Sequence, residues 1–197
     1  MSHQQSGKSF RSFLGIEPSK PTTKDSVFVI IDAQNEYASG LLTISSLPSS
    51  RSVIHTVLQK YRKDGGDIIH IRHVTPQGAP LFTQGTELAE EFGELVEGMG
   101  GGEKVITKHH PSAFTGTDLQ KAMEGFGKKK IVLAGYMAHV CISGTSRAGA
   151  ELGYDMSVLS DGIGDRDIPG ATAKQLVDTV LAELGDVSAT IISSKDL

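Results

Sequence analysis

Apolar runs alternate with segments of mixed, helix-like polarity along almost the whole chain, the layout of an α/β fold built on a largely parallel sheet. The first run, SVFVIID at 26–32, is apolar on both faces, as an interior strand requires. A polar loop through Pro48 follows, and Ser49 or Ser50 is placed to cap a helix reaching Lys63, which Asp64-Gly65-Gly66 ends. DIIHIRHV at 67–74 reads as the second strand. A Gly- and Pro-bearing stretch over 75–103 holds one short helix near Glu87 to Phe92, and KVITK reaches Lys108 as the third strand. Thr117 or Asp118 opens another short helix, and Lys128-Lys129-Lys130 leads into strand IVLAG. A helix over Val140 to Leu152, strand DMSVLSD, a helix over Gly170 to Leu184 and strand VSATII complete the chain. Six strands with helical or loop crossovers predict a three-layer α/β/α sandwich over residues 25–197, its six-stranded sheet mostly parallel. Residues 1–24 read as an N-terminal extension, partly flexible, whose Phe10, Phe13, Leu14 and Ile16 are available to dock on the domain or on a partner subunit.

Composition narrows the function classes. A length of 197 residues suits one well-buried core, and 38% hydrophobic against 21% charged residues is ordinary for a globular protein and too apolar for a disordered one. With 19 Lys plus Arg against 23 Asp plus Glu, the net charge of -4 argues against a nucleic-acid partner. No apolar run approaches the roughly 20 residues of a bilayer span, so no membrane partner is expected. The first 25 residues lack the apolar stretch of a signal peptide, and the single cysteine cannot form an intrachain disulfide. Both features predict a cytoplasmic protein.

The strand assignments gather three chemically capable residues. Active sites of open parallel sheets form beyond the carboxyl ends of the strands. Asp32 ends the first strand, Lys108 ends the third, and Cys141 opens the helix after the fourth. Taken singly, each has a bland reading: a turn-forming Asp, a solvated Lys, a buried free thiol acting as a small hydrophobe. Their convergence on one sheet edge raises the chemical reading, with the helix start and a nearby ammonium favouring a thiolate.

Other motifs exclude more than they suggest. His70 and His73 fall on opposite faces of a strand, and no Cys/His spacing fits zinc, so no metal is expected, although His73 and His109 are placed to line a pocket. Gly98-Met-Gly100-Gly101-Gly102 fits neither GxGxxG nor a P-loop, which removes the signal for a nucleotide cofactor. Gly162, Gly164, Asp161, Asp165 and Asp167 form a turn that borders the same edge. No Gly-x-Ser-x-Gly elbow is present.

Taken together, VFVIIDAQNEY, VITKHHPSAFTGTDL and VLAGYMAHVCISGTSRAGAELGYDMSVLSDG resemble the isochorismatase-like cysteine hydrolase family over roughly residues 25 to 192. The resemblance implies a catalytic triad of Asp32, Lys108 and Cys141 and no cofactor. It also implies a non-proline cis peptide at Tyr136–Met137, with the Met137 and Cys141 N–H groups as an oxyanion hole, and assembly as homodimers or homotetramers. Gln34, Tyr37, His73 and Phe114 are the expected substrate-binding residues, for a small-molecule substrate. ASGLLTISSLPSS lacks the Asp-x-His set of the family's metal-dependent nicotinamidases. With Cys141 in place, the resemblance points first to hydrolysis of a small C–N (amide) bond through a Cys141 thioester; the alternative is hydrolysis of the isochorismate vinyl ether through Asp32, and a catalytically silent scaffold is the third reading.

Overall fold

The computed structural model describes residues 7–197, so the expected flexible lead-in falls, over 1–6, outside the described residues. In chain order the elements are α1 (Phe10–Phe13), β1 (Ser26–Ile31), α2 (Glu36–Ser39), α3 (Leu47–Asp64), β2 (Asp67–His73), α4 (Gly93–Val96) and β3 (Lys104–Lys108). They continue with α5 (Leu119–Phe126), β4 (Lys130–Gly135), a π-helical turn (Ala138–Ile142), α6 (Ser143–Glu151), β5 (Asp155–Ile163), α7 (Ala173–Val187) and β6 (Ala189–Ile192). All six strands are parallel, in the order β3-β2-β1-β4-β5-β6.

Period-two alternation along β1 divides the core. Val27, Val29 and Ile31 point to one face, where they meet Ile69, Leu133, Met156 and, from α5 and α7, Met123 and Leu184. Phe28 and Ile30 point to the other, against Ile54, Leu58 and Tyr61 of α3 and against Phe92. The α3 residues recur at helical spacing, so one stripe of that helix is apolar and the rest is solvated. Phe28 stacks on Tyr61 with ring centroids 5.2 Å apart, and α3 ends at Gly65 in the left-handed conformation that the Asp-Gly-Gly sequence predicts. Burying side chains of this size contributes about 2 kcal/mol each, which makes β1 the strand least tolerant of polar substitution.

Some expectations shift. Helix α3 begins at Leu47, with Pro48 in its first turn and Ser46 before it, three or four residues earlier than a cap at Ser49 or Ser50 implies. Pro is tolerated there because its missing N–H would be unsatisfied anyway. The short helix expected near Glu87 to Phe92 is split into one 3-10 turn (Glu87–Ala89) and α4. The N-terminal segment is tied down by polar rather than apolar groups. Phe10 N–H donates to Asp186 Oδ1 at 2.7 Å, and Ser19 N–H donates to Thr190 Oγ1 at 2.8 Å. Phe10, Phe13, Leu14 and Ile16 stay exposed.

Strands β1 to β3 progress to one side of β1 and β4 to β6 to the other. Beyond the carboxyl ends of β1 and β4, where the order reverses, the two neighbouring loops must part, and the crevice between them is the fold's natural ligand site.

Candidate active site

Asp32 follows β1 and adopts φ 49°, an uncommon backbone state for a non-glycine residue, held by donation of its N–H to Ile71 O at 2.9 Å. Lys108 closes β3, and both side chains are wholly buried. Lys108 Nζ lies 2.8 Å from Asp32 Oδ2 as a buried ion pair, too oblique to count as an aligned hydrogen bond. The same ammonium reaches His73 Nδ1 at 3.0 Å, the His110 carbonyl at 3.1 Å and Cys141 Sγ at 3.3 Å. Asp32, Lys108 and Cys141 thus meet around one nitrogen.

Burial governs the charges. It pushes the Asp32 carboxyl above its ordinary range, against the opposing pull of the Lys108 ammonium. Burial first, and then the neighbouring Asp32 charge, pushes the Cys141 thiol up to about 12, with Lys108 pulling the other way. Burial thus makes both the carboxylate and the thiolate harder to form here than in water. His73 is held neutral, at about 4, by burial and by the Lys108 charge; its Nδ1 accepts from Lys108 and its proton sits on Nε2.

The turn that presents Cys141 is built from close backbone contacts. Gly135 has φ 121°, and a Cβ there would lie 2.0 Å from Ile31 O, so only glycine lets β4 leave the sheet at this point. Tyr136 N–H then donates to Ile31 O at 3.0 Å, and the Tyr136–Met137 peptide is cis, as the resemblance implied. Met137 O accepts from the N–H groups of Val140 at 3.2 Å, Cys141 at 3.0 Å and Ile142 at 3.2 Å. This corrects the expected oxyanion hole: the Cys141 N–H is already engaged within the π-helical turn. Among the described residues, Met137 N–H alone of the expected pair has no partner.

The four expected substrate-binding residues separate. Gln34 is a buried bridge: its Oε1 accepts from His73 N–H at 2.8 Å, and its Nε2 donates to His73 O at 2.9 Å and Ala89 O at 2.6 Å. Tyr37 and His73 are joined through Phe82, whose ring lies 5.3 Å from Tyr37 and 5.2 Å from His73; Tyr37 also packs 5.6 Å from Tyr136. Phe114 is not part of this cluster. Its ring stacks on Tyr154 at 5.6 Å and lies over Gly149 beside Met156, on the α6–β5 side of the core. His109 turns outward, its Nδ1 donating to Val74 O at 2.7 Å.

Phe82 and Asp165 are the residues that sequence reasoning missed or left without a role. Asp165 is buried just after β5, and its Oδ2 accepts from His139 N–H at 2.9 Å and from His139 Nδ1 at 2.7 Å. Its place in a strand-end turn on the active edge was the available signal. Asp161, Gly164, Asp165 and Asp167 border a cleft of about 730 Å³ between the amino ends of α3 and α7. Among the described residues no group of three or more His, Cys, Asp or Glu side chains is arranged to hold a metal ion.

Residues 26–196 match the profile of the isochorismatase domain. The chain belongs to the isochorismatase family. It is 58% identical to the secreted isochorismatase effector Isc1 of Verticillium dahliae over 189 residues, 96% of this chain and 98% of the relative. It is 32% identical to the isochorismatase-like protein asqB of Emericella nidulans over 192 residues, 98% of this chain and 86% of the relative. The crystal structure of an isochorismatase from Pseudomonas putida superposes with TM-score 0.92 at 28% identity, covering 97% of this chain and 99% of that one. As an isochorismatase-family member the protein is a hydrolase. The cytoplasmic expectation does not stand, because a relative named as secreted matches this chain across nearly its whole length. A fold that needs no disulfide is indifferent to redox compartment, so one unpaired cysteine carried no information about location.

Proposed function

We propose that this isochorismatase-family protein is secreted and hydrolyses the vinyl ether of isochorismate, with Asp32 as the general acid. The observation that carries the reading is Asp32 itself: a wholly buried carboxyl at the end of β1, raised by burial and lying 2.8 Å from the Lys108 ammonium. Proton transfer from Asp32 to the terminal methylene carbon of the enolpyruvyl group leaves an oxocarbenium ion, and Lys108 beside Oδ2 stabilises the carboxylate so formed. Water adds to the cationic carbon and returns its proton to Asp32. The resulting hemiketal collapses, its hydroxyl proton passing to the ring oxygen as the C–O bond breaks. The products are pyruvate and a dihydro-dihydroxybenzoate; no oxidation occurs, so the ring does not become aromatic.

The high thiol and the engaged Cys141 N–H both weigh against a thioester route, and the likeness to the secreted Verticillium isochorismatase supports the vinyl ether. Amide hydrolysis is the second reading, favoured by the 3.3 Å approach of Lys108 Nζ to Cys141 Sγ. Pyruvate release from isochorismate separates the two. Asp32→Asn is expected to lose about 10²–10⁴-fold in kcat, the usual worth of a general acid, while Cys141→Ala stays within about tenfold. A dead Cys141→Ala variant with a folded spectrum overturns the acid mechanism. Secretion is tested by comparing culture filtrate with cell extract of the producing organism; protein confined to the extract refutes it.

A further inference from the structure

The Lys108 ammonium has three N–H groups and four neighbours: Asp32 Oδ2 at 2.8 Å, His73 Nδ1 at 3.0 Å, the His110 carbonyl at 3.1 Å and Cys141 Sγ at 3.3 Å. One neighbour must go without an aligned donor. It is Asp32, whose contact is close but oblique, and a buried carboxylate oxygen without an aligned donor is costly to ionise. Removing the His110 carbonyl would mean breaking the backbone path after β3. The imidazole of His73 is the neighbouring side chain whose removal leaves both Asp32 and Cys141 in place.

We propose that His73 is a positioning residue that sets the acidity of Asp32 by holding one N–H of Lys108 away from it. His73 is suited to the task because its backbone is locked. Its N–H and C=O are both bound to the Gln34 amide, and its ring rests against Phe82 at 5.2 Å. The strand end that carries the imidazole is thus fixed against Gln34, and the ring packs on Phe82. Its neutrality is also required: a protonated ring would have no acceptor to offer and would repel Lys108. Burial together with the charges of Lys108, His109 and His110 keeps the ring neutral. The charged and titratable groups around this nitrogen are then Asp32 after β1 and Cys141 from the π-helical turn, with exposed His109 and His110 acting from beyond β3.

The inference deepens the acid-catalysed reading and rests on it for its kinetic consequence, but its physical claim can be tested without substrate. Carboxyl-carbon NMR of protein labelled at the aspartate side chains, with Asp32 assigned by loss of its signal in Asp32→Asn, reads the Asp32 titration directly. In His73→Leu the freed N–H swings onto Oδ2, and the Asp32 titration is expected to fall by about one pH unit, the lower end of what an opposite charge produces. The alkaline limb of the pH–rate profile for pyruvate release falls by the same amount. His73→Asn, whose side-chain oxygen can stand in for Nδ1, restores both values. His73→Val, a residue strands favour, repeats the test should the leucine variant fold poorly. An unmoved Asp32 titration in folded His73→Leu or His73→Val overturns the proposal. A shifted titration in a protein that releases no pyruvate upholds the positioning role and instead removes isochorismate as substrate.

Discussion

Asp165 grips His139 twice through a single oxygen, its Oδ2 accepting from the backbone N–H at 2.9 Å and from ring Nδ1 at 2.7 Å. The neighbouring Ala138 N–H donates to Gly164 O at 2.9 Å, so the loop after β5 holds the start of the turn that ends on Cys141. Asp165 also accepts from Arg166 N–H through Oδ1 at 2.9 Å. The carboxylate therefore splices the β4 and β5 loops together at the switch point of the sheet.

Asp165→Ala is accordingly expected to destabilise the protein by about 1–3 kcal/mol, the cost of leaving buried donors unpaired. Because a small displacement of reacting groups is amplified in rate, kcat should fall at least about tenfold as well. Urea unfolding and steady-state pyruvate release measure the two effects. Wild-type kcat in the variant would show that the splice does not position the turn.

Gly135→Ala tests the backbone approach instead. A Cβ would sit 2.0 Å from Ile31 O, far inside contact distance, at a φ of 121° that L-residues rarely adopt. Neither atom can yield without disturbing β1 one residue before Asp32. The variant is expected to lose more than about 2 kcal/mol of stability, read from its thermal unfolding, since strain and steric conflict add. An unchanged melting curve would contradict the close contact.

The sheet and the meeting of Asp32, Lys108 and Cys141 were legible because they follow from strong local signals. SVFVII is apolar at every position after its serine, which only a strand buried on both faces explains, and the strand-end positions of Asp32, Lys108 and the Cys141 turn follow from the strand boundaries. What failed depends on tertiary partners. Phe114 is an aromatic near a motif, but its stacking on Tyr154 beside Gly149 is a tertiary contact that no local pattern reports. The Cys141 N–H looked free because helix-start donors usually are, whereas the π-helical turn folds it back onto Met137 O. Phe82 lay in a stretch without periodicity and reaches His73 and Tyr37 only through the folded loop. The compartment was misjudged because the cysteine count was asked a question it does not answer.

Thiol chemistry offers a direct reading of the electrostatics. With burial and Asp32 pushing the Cys141 thiol up to about 12, alkylation by iodoacetamide is expected to be slow at neutral pH and to keep accelerating up to at least pH 10. Above the Asp32 titration its carboxylate adds to burial in raising the thiol, so in that alkaline range Asp32→Asn should alkylate faster than wild type. A plateau reached below about pH 8 in the wild type would mean an activated thiolate and would return weight to the amide reaction.

The longest reach of the structure into pH dependence lies outside the triad, at His70. Its ring is wholly buried on β2, with Nδ1 2.8 Å from Glu91 Oε1 and Nε2 2.9 Å from Glu103 Oε2. Both nitrogens can donate only in the imidazolium form. Burial alone would lower its titration, but the hydrogen bonds and charges of Glu91 and then Glu103 outweigh it, so the folded-state value is raised. Arg62 meanwhile holds Glu103 from the other side at 2.8 Å. A raised folded value means that the stabilisation is complete below the unfolded value, about 6.5, and is lost as pH rises through the folded one. The segment that His70 secures is the one that supplies Ala89 O to Gln34 and Glu90 O to the Asn35 N–H, next to Asp32. Urea midpoints are therefore expected to decline between pH 6 and alkaline pH, with hydrogen exchange over 87–103 quickening in parallel. His70→Gln should lower the midpoint at pH 6 and flatten its pH dependence. A wild-type midpoint that rises over that range, or a slope that survives in His70→Gln, would show that the clasp is not what titrates.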